Sequence, residues 1–121
     1  MVTVAKTAGF CFGVRRAVEM AEQACTQYGS IWALGDIIHN THEVERLEAL
    51  GVHKAEHVDD VPDNVPVLIR AHGVPESVML RLKEKGCTPV DATCPFVGKI
   101  HRIVREESQN GRHIIIIGSR N

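Results

Sequence analysis

The sequence predicts an α/β fold in which strands and helices alternate around a mainly parallel sheet. Short apolar, β-branched runs alternate with stretches whose apolar residues recur at helical spacing. The run "HIIIIGS" (113–119) is continuously apolar, which is typical of a strand that is covered on both faces. The chain has 121 residues, 44% of them apolar, which is enough for one modest domain with its own core.

The first third of the chain is predicted to hold a strand, a helix and a second strand. Residues 2–5 are β-branched and alternate, so we expect a strand there. A helix is expected over 14–28, because apolar side chains recur at helical spacing and Gly29 is a natural C′ residue. These apolar residues are Val14, Ala17, Val18, Ala21, Ala24, Cys25 and Tyr28. "SIWAL" (30–34) is the second strand candidate.

The middle of the chain is predicted to contain a capped helix followed by a loop. Asn40 is the expected N-cap, with Glu43 at the N3 position and Gly51 as the terminator. Its buried stripe is expected to consist of Val44, Leu47 and Leu50. Residues 52–66 are rich in Asp and Pro and are therefore predicted to form a loop.

Two further strands and two further helices are expected after this loop. "VPVLIRAHG" (65–73) predicts a third strand, and Pro75 suits the first position of a helix that runs to Gly86. "TPVDAT" (88–93) is a short fourth strand candidate. The next helix is expected to begin at Cys94-Pro95 and to end at Asn110-Gly111. Its inward side chains are expected to be Val97, Ile100, Ile103 and Val104.

Composition narrows the class of protein. The formal net charge is −1 without any run of like charges, which argues against a nucleic-acid binder. One Trp, one Tyr and three Phe do not make a stacking surface for bases. No stretch has the length of a membrane span, and the first ten residues lack the pattern of a secretion signal. We therefore expect a cytoplasmic protein with reduced thiols.

Two cysteines and two histidines stand out by position. Cys11, His39, His72 and Cys94 each fall in a predicted strand-to-helix connection. In an open parallel sheet these connections lie on one edge, where ligands bind. Helix N-termini stabilise anions and thiolates, and histidine can donate a hydrogen bond to phosphate or bind a metal. The sequence thus predicts a site for an anionic ligand at this edge.

The remaining cysteines and histidines are given a structural interpretation. Cys25 lies on the apolar stripe of the first helix and Cys87 directly follows a glycine, so both are expected to be packing residues. Arg15 and Arg16 either belong to a solvated face or lie near the bound anion. Five histidines are expected to be solvated or to cap helices, namely His42, His53, His57, His101 and His113.

Four motifs together resemble one enzyme family. They are "GFCFGVRRAV" (9–18), "IIHN" (37–40), "RAHGVP" (70–75) and "VDATCPFVGKIH" (90–101). In order and spacing they resemble the N-terminal part of 4-hydroxy-3-methylbut-2-enyl diphosphate reductase, the last enzyme of the non-mevalonate isoprenoid pathway. The resemblance extends over essentially all of the chain.

The resemblance implies a cytosolic iron–sulfur reductase. Family members hold a [4Fe–4S] cluster through three cysteines, and Cys11 and Cys94 match two of them. His39 and His72 match histidines that bind the substrate diphosphate. The implied reaction removes the allylic hydroxyl with two electrons and two protons, and yields isopentenyl and dimethylallyl diphosphate. The electrons are implied to come from a ferredoxin or flavodoxin, and neither nucleic acid nor membrane is an expected partner.

The same resemblance implies a domain division. Residues 1–94 match the first lobe of a three-lobed fold, although the strand within 1–9 packs elsewhere in the family. Residues 95–121 match the start of the second lobe. The third cluster cysteine and the proton-relaying Glu of the family lie beyond Asn121. We therefore expect a fragment that is inactive alone, and no catalytic residue is assigned.

Two alternatives remain open at this point. The same two cysteines and two histidines are a permissible zinc set, so the chain could be a small metal- or phosphate-binding module without catalysis. However, structural zinc sites usually take their ligands in close pairs, whereas these are scattered over four connections. Alternatively, Cys11 or Cys94 could be a nucleophile that His39 or His72 activates.

Overall fold

The computed structural model describes residues 1–6 and 8–118. Within these residues, four α-helices alternate with four strands, except that a short 3₁₀ helix at Val58–Asp60 stands between the second and third strands. The helices are α1 (Phe12–Tyr28), α2 (Thr41–Ala49), α3 (Glu76–Glu84) and α4 (Pro95–Gln109). The strands are β1 (Ile31–Leu34), β2 (Val52–Ala55), β3 (Pro66–Ile69) and β4 (Thr88–Asp91).

The four strands form one parallel sheet in the order β2-β1-β3-β4. Ile31 pairs with Val52 on one side of β1, and Trp32 pairs with Val67 on the other. Parallel neighbours require a crossover connection, which α2 provides between β1 and β2 and α3 provides between β3 and β4. The predicted α/β fold with a parallel sheet is confirmed.

The sheet is packed on both faces. Leu68 of β3 belongs to a cluster with Ala17 and Ala21 of α1 and Leu47 of α2. Its neighbours Val67 and Ile69 belong to a second cluster, in which Leu82 of α3 is fully buried. Successive strand residues point to opposite faces, so α1 and α2 cover one face and α3 covers the other.

Two predicted strands are wrong. Residues 2–5 and 113–118 have no regular secondary structure, and Ser119 of the second prediction lies outside the described residues. Val2 is 93% exposed and Ile117 is 94% exposed. A strand needs a neighbour for its backbone N–H and C=O groups, and neither run pairs with the sheet. The apolar pattern was therefore not sufficient to make a strand.

The prediction of a continuous loop over 52–66 is also wrong. β2 occupies its first part, where Val52 and Ala55 are buried and pair with β1. At the short 3₁₀ helix that follows, the His57 N–H donates to Oδ2 of Asp60 at 3.1 Å, and the Asp60 N–H donates to the His57 carbonyl oxygen at 3.1 Å. The intervening polar residues of β2 are exposed, because β2 is an edge strand, and they hide the strand pattern in the sequence.

The last helix is present as predicted, but its apolar face is not buried. Ile100 is 58% exposed and Ile103 is 45% exposed, whereas Val97 and Val104 are half-buried. α4 contains no buried residue, whereas α1, α2 and α3 each contain at least one. The helix thus contacts the described sheet chiefly through its N-terminal end.

The other helix boundaries follow the sequence signals closely. α1 begins two residues before the predicted Val14, and Gly29 ends it with a positive φ of 81°. Pro75 directly precedes α3 and does not form its first residue. Asn40 is the N-cap of α2, and its Oδ1 accepts a hydrogen bond from the Glu43 backbone N–H at 3.1 Å.

Replacing Asn40 with alanine should lower the free energy of unfolding by about 1 kcal/mol, because the Glu43 N–H loses its acceptor. Asn40→Asp keeps an acceptor at the same place and should stay close to the parent. Urea unfolding followed by Trp32 fluorescence measures both. Equal stability of the alanine variant and the parent would contradict the capping role.

Candidate functional site

Both site cysteines lie at helix N-termini. Cys11 is the N-cap of α1 and is exposed, and Cys94 is the N-cap of α4 and is buried. The Cys94 N–H donates to the carbonyl oxygen of Ala71, just beyond β3, at 2.8 Å. No strand precedes Cys11 in the described part of the chain, so Cys11 does not lie in a strand-to-helix connection, contrary to the sequence prediction.

The N-termini of α1 and α4 are in direct contact. A Cβ atom added to Gly13 would lie 2.9 Å from both Cβ and Sγ of Cys94. Next to this contact, the rings of Phe12 and Phe96 meet edge to face with centroids 6.2 Å apart. We call this contact, formed by residues 11–13 and 94–96, the α1–α4 junction.

The two site histidines lie in the connections that follow β1 and β3. His39 precedes the N-cap of α2, and His72 lies between β3 and α3; both are exposed. Gly73, next to His72, has a φ of +73°, and a Cβ there would lie 3.0 Å from Cε1 of His101 and 3.3 Å from the side chain of Thr93. The turn that carries His72 is therefore packed against α4 and the residue before Cys94.

The connection that carries His39 is held by charge. Nζ of Lys54 lies 2.6 Å from Oδ1 of Asp36. This hydrogen bond, and the positive charges of Lys54, His39 and Arg70, lower the pKa of Asp36, against an opposing effect of burial. Arg70 also reaches this turn, because its Nη1 lies 3.1 Å from where a Cβ of Gly35 would be.

The other two cysteines are packing residues, as predicted. Cys25 is 8% exposed and Cys87 is 7% exposed. Sγ of Cys87 donates to the carbonyl oxygen of Pro62 at 3.4 Å. Burial, and secondly the negative charge of Glu22, raise the pKa of the Cys25 thiol. Neither residue lies at a helix N-terminus.

Sequence reasoning missed several residues around Cys94. Nη1 of Arg16 donates to the carbonyl oxygen of Thr93 at 3.2 Å, so Arg16 is more than part of a solvated face. His101 is exposed, as expected, but its ring also lies beside Gly73. The Asp-Ala-Thr triplet before Cys94 was an available signal, because Asp side chains often bond the backbone two residues on.

The two helix N-termini favour thiolates and a thiolate-ligated group of net negative charge. Neither α1 nor α4 has an acidic residue in its first turn to compensate the partial positive charge of its N-terminus. Cys11 and Cys94 could supply two thiolates to a cluster or metal. Within residues 1–6 and 8–118, no three His, Cys, Asp or Glu side chains come together as a metal site. Within the described residues, the four side chains of the zinc alternative are therefore not brought together as one metal site.

None of the described helices is both long and apolar enough to cross a bilayer.

Comparison with known proteins gives a consistent result. The family model for LytB protein matches residues 2–121. A 4-hydroxy-3-methylbut-2-enyl diphosphate reductase of Clostridioides difficile (strain 630) is 44% identical over 118 residues, which cover 97% of this chain and 42% of the relative. The enzyme of the same name from Aquifex aeolicus (strain VF5) is 39% identical over 121 residues, covering 99% of this chain and 42% of the relative.

Solved structures show the same likeness. A structure described as (E)-4-hydroxy-3-methyl-but-2-enyl diphosphate reductase, the terminal enzyme of the non-mevalonate pathway, matches with a TM-score of 0.78 and 40% identity. That match covers 91% of this chain and 39% of the other. The E-1-hydroxy-2-methyl-but-2-enyl-4-diphosphate reductase from Plasmodium falciparum matches with a TM-score of 0.82 and 33% identity, over 87% of this chain and 33% of the other. The chain spans about two-fifths of the length of the curated relatives cited here.

Proposed function

This chain belongs to the LytB family, and on that premise we propose that it forms the N-terminal part of a 4-hydroxy-3-methylbut-2-enyl diphosphate reductase. The substrate would lose its allylic hydroxyl with two electrons and two protons, giving isopentenyl and dimethylallyl diphosphate. The contact between the two cysteine-bearing helix N-termini is the observation that carries this proposal. A ferredoxin or flavodoxin would supply the electrons, and the protein would act in the cytoplasm.

Cys11 and Cys94 would hold a [4Fe–4S] cluster. Bound there, the cluster would supply electrons and a Lewis-acidic iron. The α1–α4 junction supports this assignment, because it combines two thiols with the positive ends of two helix dipoles. The buried position of Cys94 would limit access of water to one ligand.

His39 and His72 would bind the diphosphate. Both are exposed, and both lie in connections at the carboxyl ends of parallel strands. Packing of Gly73 against His101 and Thr93 would hold the His72 turn beside the cysteine helix. Binding and orientation of an anionic substrate are thus the contributions that we assign to these connections.

We also propose that residues 1–94 form the first lobe and that residues 95–121 begin a second. The complete lack of buried residues in α4 supports this division, since the other three helices bury side chains in the described core. The exposed Ile100 and Ile103 would then pack within the second lobe.

A chimera tests the proposed function. This chain would replace the matching segment of the Clostridioides difficile relative, to which it is 44% identical. After anaerobic reconstitution, iron and acid-labile sulfide would be counted and reduction of the diphosphate substrate measured. We expect the chimera without further substitutions to bind iron and sulfide and to reduce the diphosphate substrate. A folded chimera that binds no iron would refute the proposal.

Cysteine variants of the chimera assign the ligands. Cys11→Ser and Cys94→Ser should each lose most of the iron and reduce turnover by at least about 100-fold, because each would remove a direct ligand. Cys25→Ala is the matched control, because Cys25 is buried in the core away from the helix N-termini, and it should retain iron. If Cys25→Ala lost iron as fully as Cys11→Ser, the ligand assignment would be wrong.

A further inference from the structure

Hydrogen bonds between its own residues restrict the segment before Cys94. Oδ1 of Asp91 accepts hydrogen bonds from both the backbone N–H and the hydroxyl of Thr93, at 2.9 and 2.5 Å. Asp91 is the last residue of β4, so these bonds tie the start of the connection to the end of the strand. The backbone between β4 and α4 is thereby restricted over the two residues that precede Cys94.

α1 reaches the same segment through Arg16. The bond from Nη1 of Arg16 to the Thr93 carbonyl oxygen joins residues 77 positions apart and is partly buried. A cation near the N-terminus of α1 opposes the helix dipole, so local helix energetics do not favour Arg16 there. A charged donor to a carbonyl oxygen is among the stronger hydrogen bonds and offsets that cost.

A third contact comes from the turn that carries His72. The Cys94 N–H donates to the Ala71 carbonyl oxygen at 2.8 Å, and the Thr93 side chain lies beside Gly73. Residues 93 and 94 are therefore held by α1, by the end of β4 and by the β3–α3 turn together. Of these three attachments, only those from Arg16 and Asp91 use a polar side chain of a residue other than Thr93 and Cys94.

We propose that Arg16 and Asp91 are positioning residues that fix the Thr93–Cys94 segment and thereby the place of the Cys94 thiol. The importance of this thiol rests on the proposed function, but its immobilisation can be measured without any iron. Loss of either side chain should release the segment while the core stays folded.

The chain supplies its own controls. Arg15 has the same charge and neighbours Arg16, but it is exposed and donates to the carbonyl oxygen of Phe10, within its own segment, at 3.3 Å. Cys25 and Cys87 are buried in the two core clusters, so we expect them to react only when the core opens. Cys94 reactivity relative to these two thiols thus separates local release from general unfolding.

The test is anaerobic alkylation of the full chain by iodoacetamide, with the rate of each cysteine followed by mass spectrometry. Arg16→Met should raise the rate of Cys94 relative to Cys25 and Cys87 on the order of tenfold, as expected for loss of one charged hydrogen bond. Asp91→Ala should change this ratio in the same direction. Arg15→Met should leave it unchanged.

Three results would overturn the proposal. The first is that Cys94 reacts no faster, relative to Cys25 and Cys87, in Arg16→Met and Asp91→Ala than in the parent. Another is an equal change in Arg15→Met, which would assign the effect to charge alone. The third is a parallel rise for Cys25, Cys87 and Cys94, or outright unfolding of both variants, which would assign the residues to general stability. Because no iron is involved, these results are independent of whether the chimera binds a cluster.

Discussion

Replacing Gly13 with alanine should destabilise the protein, although alanine is normally the better helix former. The new methyl group would lie 2.9 Å from both Cβ and Sγ of Cys94, and Gly13 is buried. Rotation of the Cys94 side chain can move Sγ but cannot move Cβ, so α1 and α4 must separate. Overpacking of this kind costs about 1–3 kcal/mol, which exceeds the gain of up to about 1 kcal/mol in helix propensity.

Gly98→Ala is the matched control. Gly98 is also inside a helix, but a Cβ there would meet only Cγ2 of Thr93, at an ordinary 3.9 Å. This variant should therefore equal or exceed the parent in stability. Urea unfolding of both variants provides the measurement. Should Gly13→Ala prove as stable as Gly98→Ala, the two helix N-termini would not be in the contact described above.

Replacing Leu68 with alanine should have the largest effect on folding. Leu68 is fully buried in β3, and its register partners are Ala33 in β1 and Val90 in β4. Truncation would leave a cavity beneath α1, and such changes cost about 2–5 kcal/mol. The chain contains one Trp, Trp32 in the neighbouring β1, so its fluorescence in urea reports the transition directly.

Leu80→Ala removes the same atoms from an exposed place. Leu80 lies on α3 and is 56% exposed, so its loss should change the free energy of unfolding by less than about 0.5 kcal/mol. The difference between the two leucine variants isolates burial in the sheet. Similar losses in both would show that α3 packs through Leu80, contrary to the structure.

Helices and the covered strands could be predicted because their signals are local. The N-cap at Asn40, the C-cap at Gly29 and the apolar spacing of α1 depend on residues within a few positions of one another. The strand that contains Leu68 was also predictable, because it is buried on both faces and is apolar throughout. The edge strand β2 was missed because the exposed His53 and Lys54 interrupt its run of apolar residues.

The apolar runs at the two ends of the chain were predicted to be strands, but they form none. Residues 2–5 and 114–117 have the composition of strands, but strand formation also requires a partner, which composition does not report. The same reason explains why Ile100 and Ile103 were predicted to face inward. A helical stripe identifies an apolar face, but it does not identify what covers the face.

The sequence by itself determined the parallel α/β architecture, the family and the placement of Cys11 and Cys94 at helix starts, because each follows from local spacing or from motifs in order. Only the tertiary structure decided that α1 and α4 touch through Gly13, and that Arg16 holds the carbonyl before Cys94. These contacts join residues about 80 positions apart. Their existence depends on how the helices pack on the sheet, which no local pattern encodes.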